Sequence, residues 1–183
     1  MRRAGLLAVA ILASCARTKP LPVYGQVPSF VLTAQTGERF DSRRLAGKIW
    51  VADFMFTTCL GPCPRMASQM LWVDRQVKDL ADVRLVSFTI DPGHDTPAVL
   101  AEYAGRFQAD ASRWSFLTGS QSVLQLLDRD AFKLGDVDGT LTHSTRFVLV
   151  DRHGRIRGYY DSGEEGGLNP LVSEIRRLAR ESM

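Results

Sequence analysis

An α/β fold, with helices on both faces of a mostly parallel sheet, is what this chain predicts, and three observations carry the prediction. Short runs rich in β-branched and aromatic residues alternate with stretches whose apolar residues recur at helical spacing. One run, Lys48 to Phe56, is apolar almost throughout, as a strand covered on both faces must be. Beyond an N-terminal leader and tether about 155 residues remain, enough for one domain with a substantial core.

The elements follow in order. Phe30-Val31-Leu32 and Arg39-Phe40, separated by Gln35-Thr36-Gly37, predict a small hairpin. Lys48 to Phe56 is the central strand, with Asp53 its polar exception. Pro64 to Leu80 predicts a helix whose apolar stripe is Met66, Met70, Leu71, Val73, Val77 and Leu80. Val83 to Ile90 is a second buried strand. It ends in Asp91-Pro92-Gly93-His94-Asp95-Thr96-Pro97, which opens a helix over Ala98 to Phe107 with Asp95 or Thr96 as cap and Pro97 in the first turn. Trp114 to Leu117 is a short strand, and Ser120 caps a helix reaching Phe132. A Gly/Asp-rich loop, Leu134 to Thr140, precedes strands over Thr145 to Asp151 and Arg155 to Tyr160, and Asn169 to Arg180 closes the chain as a helix. A sheet built this way, with an antiparallel edge and an extra N-terminal hairpin, is the thioredoxin-like plan.

The first residues assign a compartment. Met1-Arg2-Arg3 is a basic start, Ala4 to Ala13 is apolar, and no acidic residue precedes Glu38. About ten apolar residues are too few for a bilayer span, which takes roughly 20. Leu12-Ala13-Ser14-Cys15 resembles the bacterial lipobox, so residues 1–14 are expected to be a lipoprotein signal peptide. Cys15 is then the lipidated mature N-terminus, 15–27 a tether, and 28–183 the folded domain. The alternative is an ordinary signal peptide cut near an incidental Cys. The expected location is the outer face of the cytoplasmic membrane or the periplasm. Loss of Arg2 and Arg3 with the signal lowers the formal charge from +3 to +1, which gives no case for a nucleic-acid partner.

With Cys15 assigned to lipid, Cys59 and Cys63 are the thiols of the mature domain. In Cys59-Leu60-Gly61-Pro62-Cys63-Pro64 they stand about one helical turn apart, where a strand hands over to a helix at the carboxyl edge of the sheet. Such a pair can bridge as a disulfide or hold a soft metal ion. A disulfide closing so short a loop stabilises little, which argues against a purely structural bridge. The helix N-terminus is expected to favour the thiolate form. Among possible third ligands, His153 lies in a tight turn, His94 follows the second buried strand, and His143 immediately precedes the strand over Thr145 to Asp151. Oxidoreductases of this plan keep a cis-proline before that strand. No proline occurs here between Pro97 and Pro170, which leaves an imidazole near the position.

Three motifs in order, GKIWVADFMFTTCLGPCP, the Asp91 to Pro97 loop and THSTRFVLVD, resemble the Sco/SenC family of copper-binding, thioredoxin-like proteins. The resemblance spans about Gly25 to Ala179. It implies one copper, Cu(I) or Cu(II), held by Cys59, Cys63 and His143, and a role in maturing the binuclear copper centre of cytochrome c oxidase. That role is either delivering copper to the copper-bearing subunit or reducing its cysteines. Asp53 and Asp91 are candidate outer partners of the site, although Asp53 could equally face away from it and Asp91 and Asp95 could simply order their loop. Met55 and Met66 flank the thiols but have apolar neighbours that favour packing. A thiol–disulfide oxidoreductase acting on exported proteins is the competing reading, with Cys59 and Cys63 as its redox-active pair. A peroxidase or a copper sensor stands behind it.

Overall fold

The computed structural model describes residues 20–135, 141, 144–164 and 166–181. In chain order the strands are β1 (Gly25–Gln26), β2 (Val31–Ala34), β3 (Arg39–Asp41), β4 (Ile49–Met55), β5 (Val83–Thr89), β6 (Trp114–Thr118), β7 (Arg146–Val150) and β8 (Arg155–Asp161). The helices are α1 (Pro62–Gln76), α2 (Pro97–Arg106), α3 (Gln121–Gln125) and α4 (Leu168–Arg180), with a 3-10 turn at Ser42–Leu45. One mixed sheet runs in the order β1-β8-β7-β4-β5-β6-β2-β3. Its centre, β4-β5-β6, is parallel, and the pairs on either side are antiparallel, including the expected hairpin β2-β3.

Alternation along β4 divides the core in two. Ile49, Val51 and Met55 point to one face, into the apolar layer formed with α1, α2 and α4. Trp50, Ala52 and Phe54 point to the other, where Phe30, Phe88, Leu124, Leu127 and Phe132 gather. Aromatic rings dominate this second layer: Phe54 stacks on Phe88 with centroids 5.1 Å apart, and Phe132 stands edge-on to Phe54 at 5.6 Å.

The helices start where the sequence chemistry directs. Thr96 accepts the Val99 N–H at the head of α2, and Ser120 accepts that of Val123 at the head of α3. Helix α1 starts at Pro62, two residues before the expected Pro64, since neither proline has an N–H to lose in a first turn. It stops at Gln76, short of Leu80. There Arg113 adds a second donor to the Val77 and Leu80 carbonyl oxygens at 3.3 Å, which also accept the Leu80 and Val83 N–H groups, while its Nε meets Asp74 at 2.8 Å. The helix expected over Ser120 to Phe132 is α only to Gln125 and then widens into a π turn, Leu126–Phe132. Leu127 and Phe132 are five residues apart, and the wider turn brings both into the core, where each is fully buried. Lys133, left-handed at φ 55°, ends it.

Residues 21–27, assigned to a tether by the sequence, are docked on the sheet from Leu21 onward. Arg157 donates to the carbonyls of Leu21 and Pro22 at 2.7 and 2.9 Å, and β1 pairs with β8. The charge that makes this anchor possible is balanced by Asp151, whose carboxylate accepts from Arg157 Nη1 at 2.7 Å and Arg155 Nε at 2.8 Å. Burial drives the Asp151 carboxyl upward, but the Arg155 N–H and the two guanidiniums outweigh it and hold it below its ordinary range.

Candidate thiol and metal centre

Strand β4 delivers the chain to the carboxyl edge of the sheet, and Cys59 lies in the turn that follows, its N–H bonded to the Phe56 carbonyl at 3.3 Å. Cys63 is the second residue of α1. The two thiols are reduced, and they are hydrogen-bonded neighbours. They are unequal in exposure, Cys59 at 9% and Cys63 at 1%. Between them Leu60 is fully exposed, so the loop holds the first thiol at the rim and the second beneath it.

The expectation that the helix terminus would favour a thiolate fails at Cys63. Burial pushes this thiol strongly up, and the neighbouring Cys59 pushes in the same direction, against a weaker opposing hydrogen bond from the Phe56 backbone. It belongs to the apolar layer that also holds Met55, Met66, Met70 and Tyr103, a setting that offers little solvation to a charge. Met55 and Met66 are core residues of this layer, buried to 2% and 0% exposure.

Asp53 lies on the same face of β4 as Ile49, Val51 and Met55, and so on the side of the thiols. It is buried, and Ser87 Oγ donates to its Oδ1 at 2.6 Å while Trp114 Nε1 donates to that Oγ at 2.9 Å. Desolvation raises its carboxyl to about 7, against the pull of the Ser87 hydrogen bond. Asp53 also acts electrostatically on Cys63, which makes it part of the same charge environment.

Asp91 orders its loop through its backbone: its N–H meets Thr89 Oγ1 at 2.9 Å, and its carbonyl accepts the N–H groups of His94 and Asp95. The residue that ties this loop to the thiols is Asp95, fully buried. It accepts from Thr57 N–H at 3.1 Å, from Thr57 Oγ1, and from Thr89 Oγ1 at 2.6 Å, and it pairs with His94 Nδ1 at 3.0 Å. Thr57 is two residues before Cys59, so one carboxylate fastens the turn entering the site to the turn after β5. Its sequence signal was present in the Asp91 to Pro97 motif, but the partner in Thr57 was visible only in three dimensions. His94 stands half-exposed above this clasp, and His153 lies in the β7–β8 turn with its N–H on Asp151. Cys15 and His143 lie outside the described residues. Among the described residues no three His, Cys, Asp or Glu side chains converge as a metal cluster, and no helix is long and apolar enough to cross a membrane.

The donor chemistry fits a soft ion. Two adjacent sulfurs in an apolar setting suit Cu(I) better than a hard cation, and a metal can replace the proton that burial keeps on Cys63. The SCO1/SenC family model matches residues 22–180. The chain belongs to the SCO1/SenC family. A SCO1 homologue of Bacillus subtilis is 29% identical over 94% of this chain and 93% of its own length. The crystal structure of a SCO1/SenC family lipoprotein from Bacillus anthracis superposes with a TM-score of 0.78 at 33% identity, over 85% of this chain and 96% of that one. BsSco, described as a member of the Sco family of cytochrome c oxidase assembly proteins with a disulfide switch, gives 0.77 at 27% identity, over 90% and 100%. Bradyrhizobium japonicum ScoI, solved with copper bound, gives 0.69 at 24% identity, over 84% and 99%, a likeness of fold. The thioredoxin-like architecture expected from the sequence is the one observed.

Proposed function

We propose that this chain is a membrane-tethered copper-binding factor for assembly of cytochrome c oxidase, with Cys59, Cys63 and His143 as the ligands of one copper ion. The observation that carries the reading is the pair of reduced, hydrogen-bonded thiols at the carboxyl edge of the sheet, one at the rim and one buried among apolar side chains. A copper ion there takes two sulfurs from a turn and a helix, and a nitrogen from the segment before β7. Cys59 at the rim is the sulfur a partner's ligand would reach first, and Asp95 keeps its turn in place. Residues 1–14 act as a signal, Cys15 carries the lipid, and residues 15–20 give the domain reach from the membrane to the copper-bearing subunit. Membership of the family supports this reading, as does the description of BsSco as one of the oxidase assembly proteins.

Titrating the reduced soluble domain with Cu(I) against a competing chelator tests it. One tight equivalent, lost in Cys59→Ser and Cys63→Ser and weakened in His143→Ala, is expected; no tight binding, or binding indifferent to all three, sinks the proposal. The unequal exposure of the thiols favours one further reading, a thiol–disulfide oxidoreductase in which Cys59 attacks and Cys63 resolves. Turnover of a disulfide substrate without copper, undiminished in His143→Ala, would be its signature.

A further inference from the structure

The tether has a fixed end, and that end lies toward one edge of the sheet. Arg157 holds the carbonyls of Leu21 and Pro22 at 2.7 and 2.9 Å, and its Nη1 holds Asp151, where the β7–β8 turn begins, at 2.7 Å. This turn stands at the edge where β4 and β5 start: the Gly47 N–H donates to the Arg152 carbonyl at 3.1 Å, and Trp50 is paired with Val150 on one side and Arg84 on the other. With a lipid on Cys15, the six residues from there to Leu21 reach at most roughly 20 Å, so the membrane lies within that distance of the anchored end. Cys59 and Cys63 are at the opposite edge, beyond the 7 residues of β4. At about 3.3 Å per residue that strand puts them roughly 20 Å away.

The edge beside the tether is positive. Lys48 and Asp82 pair there at 2.5 Å. Next to them Arg84 Nη1 donates to the Ala81 and Val83 carbonyls at 2.7 and 2.8 Å, and Arg152 Nη1 donates to the Leu178 carbonyl at 2.7 Å. Lys78 stands exposed in the turn between α1 and β5. Among the described residues Lys78, Arg84 and Arg152 have no carboxylate partner. Carbonyls fix the two guanidiniums without neutralising them, so three positive charges remain on this edge of a chain that is otherwise near neutral. Beside Arg152 opens a cleft of about 250 Å³, lined by Phe30, Leu45 and Trp50, with no acidic residue in its wall. Val23 and Tyr24, which follow the anchored residues, are 54% and 53% exposed.

We propose that this edge is the membrane-facing surface of the protein, with Lys78, Arg84 and Arg152 set against anionic phospholipid headgroups and the cleft beside Arg152 receiving a headgroup phosphate with its glycerol. The inference rests on the tether reading above. A tether limits distance and leaves orientation open; an anionic surface then draws in the edge that carries unpaired cations. Val23 and Tyr24 add apolar contact where the chain comes down to the lipid. Cys59 is thereby presented on the side away from the bilayer, open to a partner that stands out from it.

Sedimentation with vesicles tests the surface apart from the anchor. The chain from residue 15 onward with Cys15→Ser carries no lipid and keeps every element of the fold. It is expected to bind vesicles of equal parts phosphatidylcholine and phosphatidylglycerol, to leave vesicles of phosphatidylcholine alone untouched, and to release the anionic ones as salt is raised. Arg84→Gln combined with Arg152→Gln is expected to weaken that binding about 25-fold, at about 5-fold per cation near an anionic surface. Arg146→Gln is the control: it removes the same charge from the exposed start of β7, at the thiol edge, and should leave binding at the wild-type level. No binding to the anionic vesicles, equal binding to both kinds, or an equal fall in the control overturns the inference and leaves the tether reading standing. So does binding indifferent to the double variant or to salt, and the salt series needs no variant to fold. The anchor is read separately, from the intact mass of the wild-type chain extracted from membranes: a mass without a diacylglycerol on Cys15 overturns the tether reading, and the inference with it.

Discussion

Asp53 is ionisable where water does not reach, and its behaviour with pH has a sign that can be worked out. In the unfolded chain its proton leaves near pH 4, in the folded protein at about 7. Between those values the folded state holds the extra proton, so this residue's contribution is fully present below about pH 4 and is lost as pH rises through about 7. Each unit of difference is worth about 1.4 kcal/mol, so the loss amounts to a few kcal/mol. Asp53→Asn should abolish it. Urea unfolding of both proteins from about pH 4.5 to 7.5 is expected to show the wild type losing stability relative to the variant as pH rises; parallel curves would contradict the assignment. Asp95 gives a second test at this scale. Asp95→Ala strips the Thr57 N–H and the Thr57 and Thr89 hydroxyls of their acceptor, and is expected to cost about 2 to 3 kcal/mol in urea unfolding. Weaker copper binding should accompany it, since Thr57 leads directly into Cys59.

At the scale of elements, the thiols owe their place to two junctions, β4 into α1 and β5 into α2, which Asp95 joins. Helix α1 is held at its other end by Arg113 and along its length by α4 and the turn before it, where Gln69 Nε2 donates to the Ser162 carbonyl at 2.9 Å. That turn is tight at Gly167. A Cβ there would stand 2.7 Å from the Asp161 backbone oxygen and 3.0 Å from that of Glu164, and neither can swing away as a side-chain tip could. Gly167→Ala is therefore expected to destabilise by about 1 to 3 kcal/mol, the usual cost of overpacking. A calorimetric midpoint that does not move would refute the close approach.

At the scale of the molecule, the N-terminal segment and the sheet form one body through Arg157 and Asp151, both 5% exposed. Arg157→Leu leaves the Asp151 carboxylate buried with one guanidinium fewer and removes both donors to Leu21 and Pro22. The expected cost is about 3 to 5 kcal/mol, with new protease sensitivity before Gly25. Asp151, held low, contributes stability above the ordinary carboxylate range that is lost on acidification, opposite in sign to Asp53. The wild-type stability profile should therefore fall on both sides of a maximum, and Arg157→Leu should flatten its acid limb.

Much of this was legible in the residues. The strand over Lys48 to Phe56, the hairpin, the Thr96 and Ser120 caps and the thiol pair follow from local rules: apolar runs must be covered, free N–H groups need acceptors, and prolines suit first turns. The π turn before Lys133 was not, because it is the core that selects the wider turn. Neither was the docking of residues 21–27, since Arg157 and Leu21 lie 136 positions apart. The same holds for the chemistry of the site. Sequence alone determined that two thiols stand one turn apart where a strand becomes a helix, with a fold and a family to match. Tertiary structure decided that Cys63 is kept as a thiol, that Asp53 shares its side of the sheet, that Asp95 clasps the turn before Cys59, and that Tyr103 lies in the same layer. Burial, charge coupling and long-range hydrogen bonds are properties of what surrounds a residue, and the order of residues along a chain does not contain them until it folds.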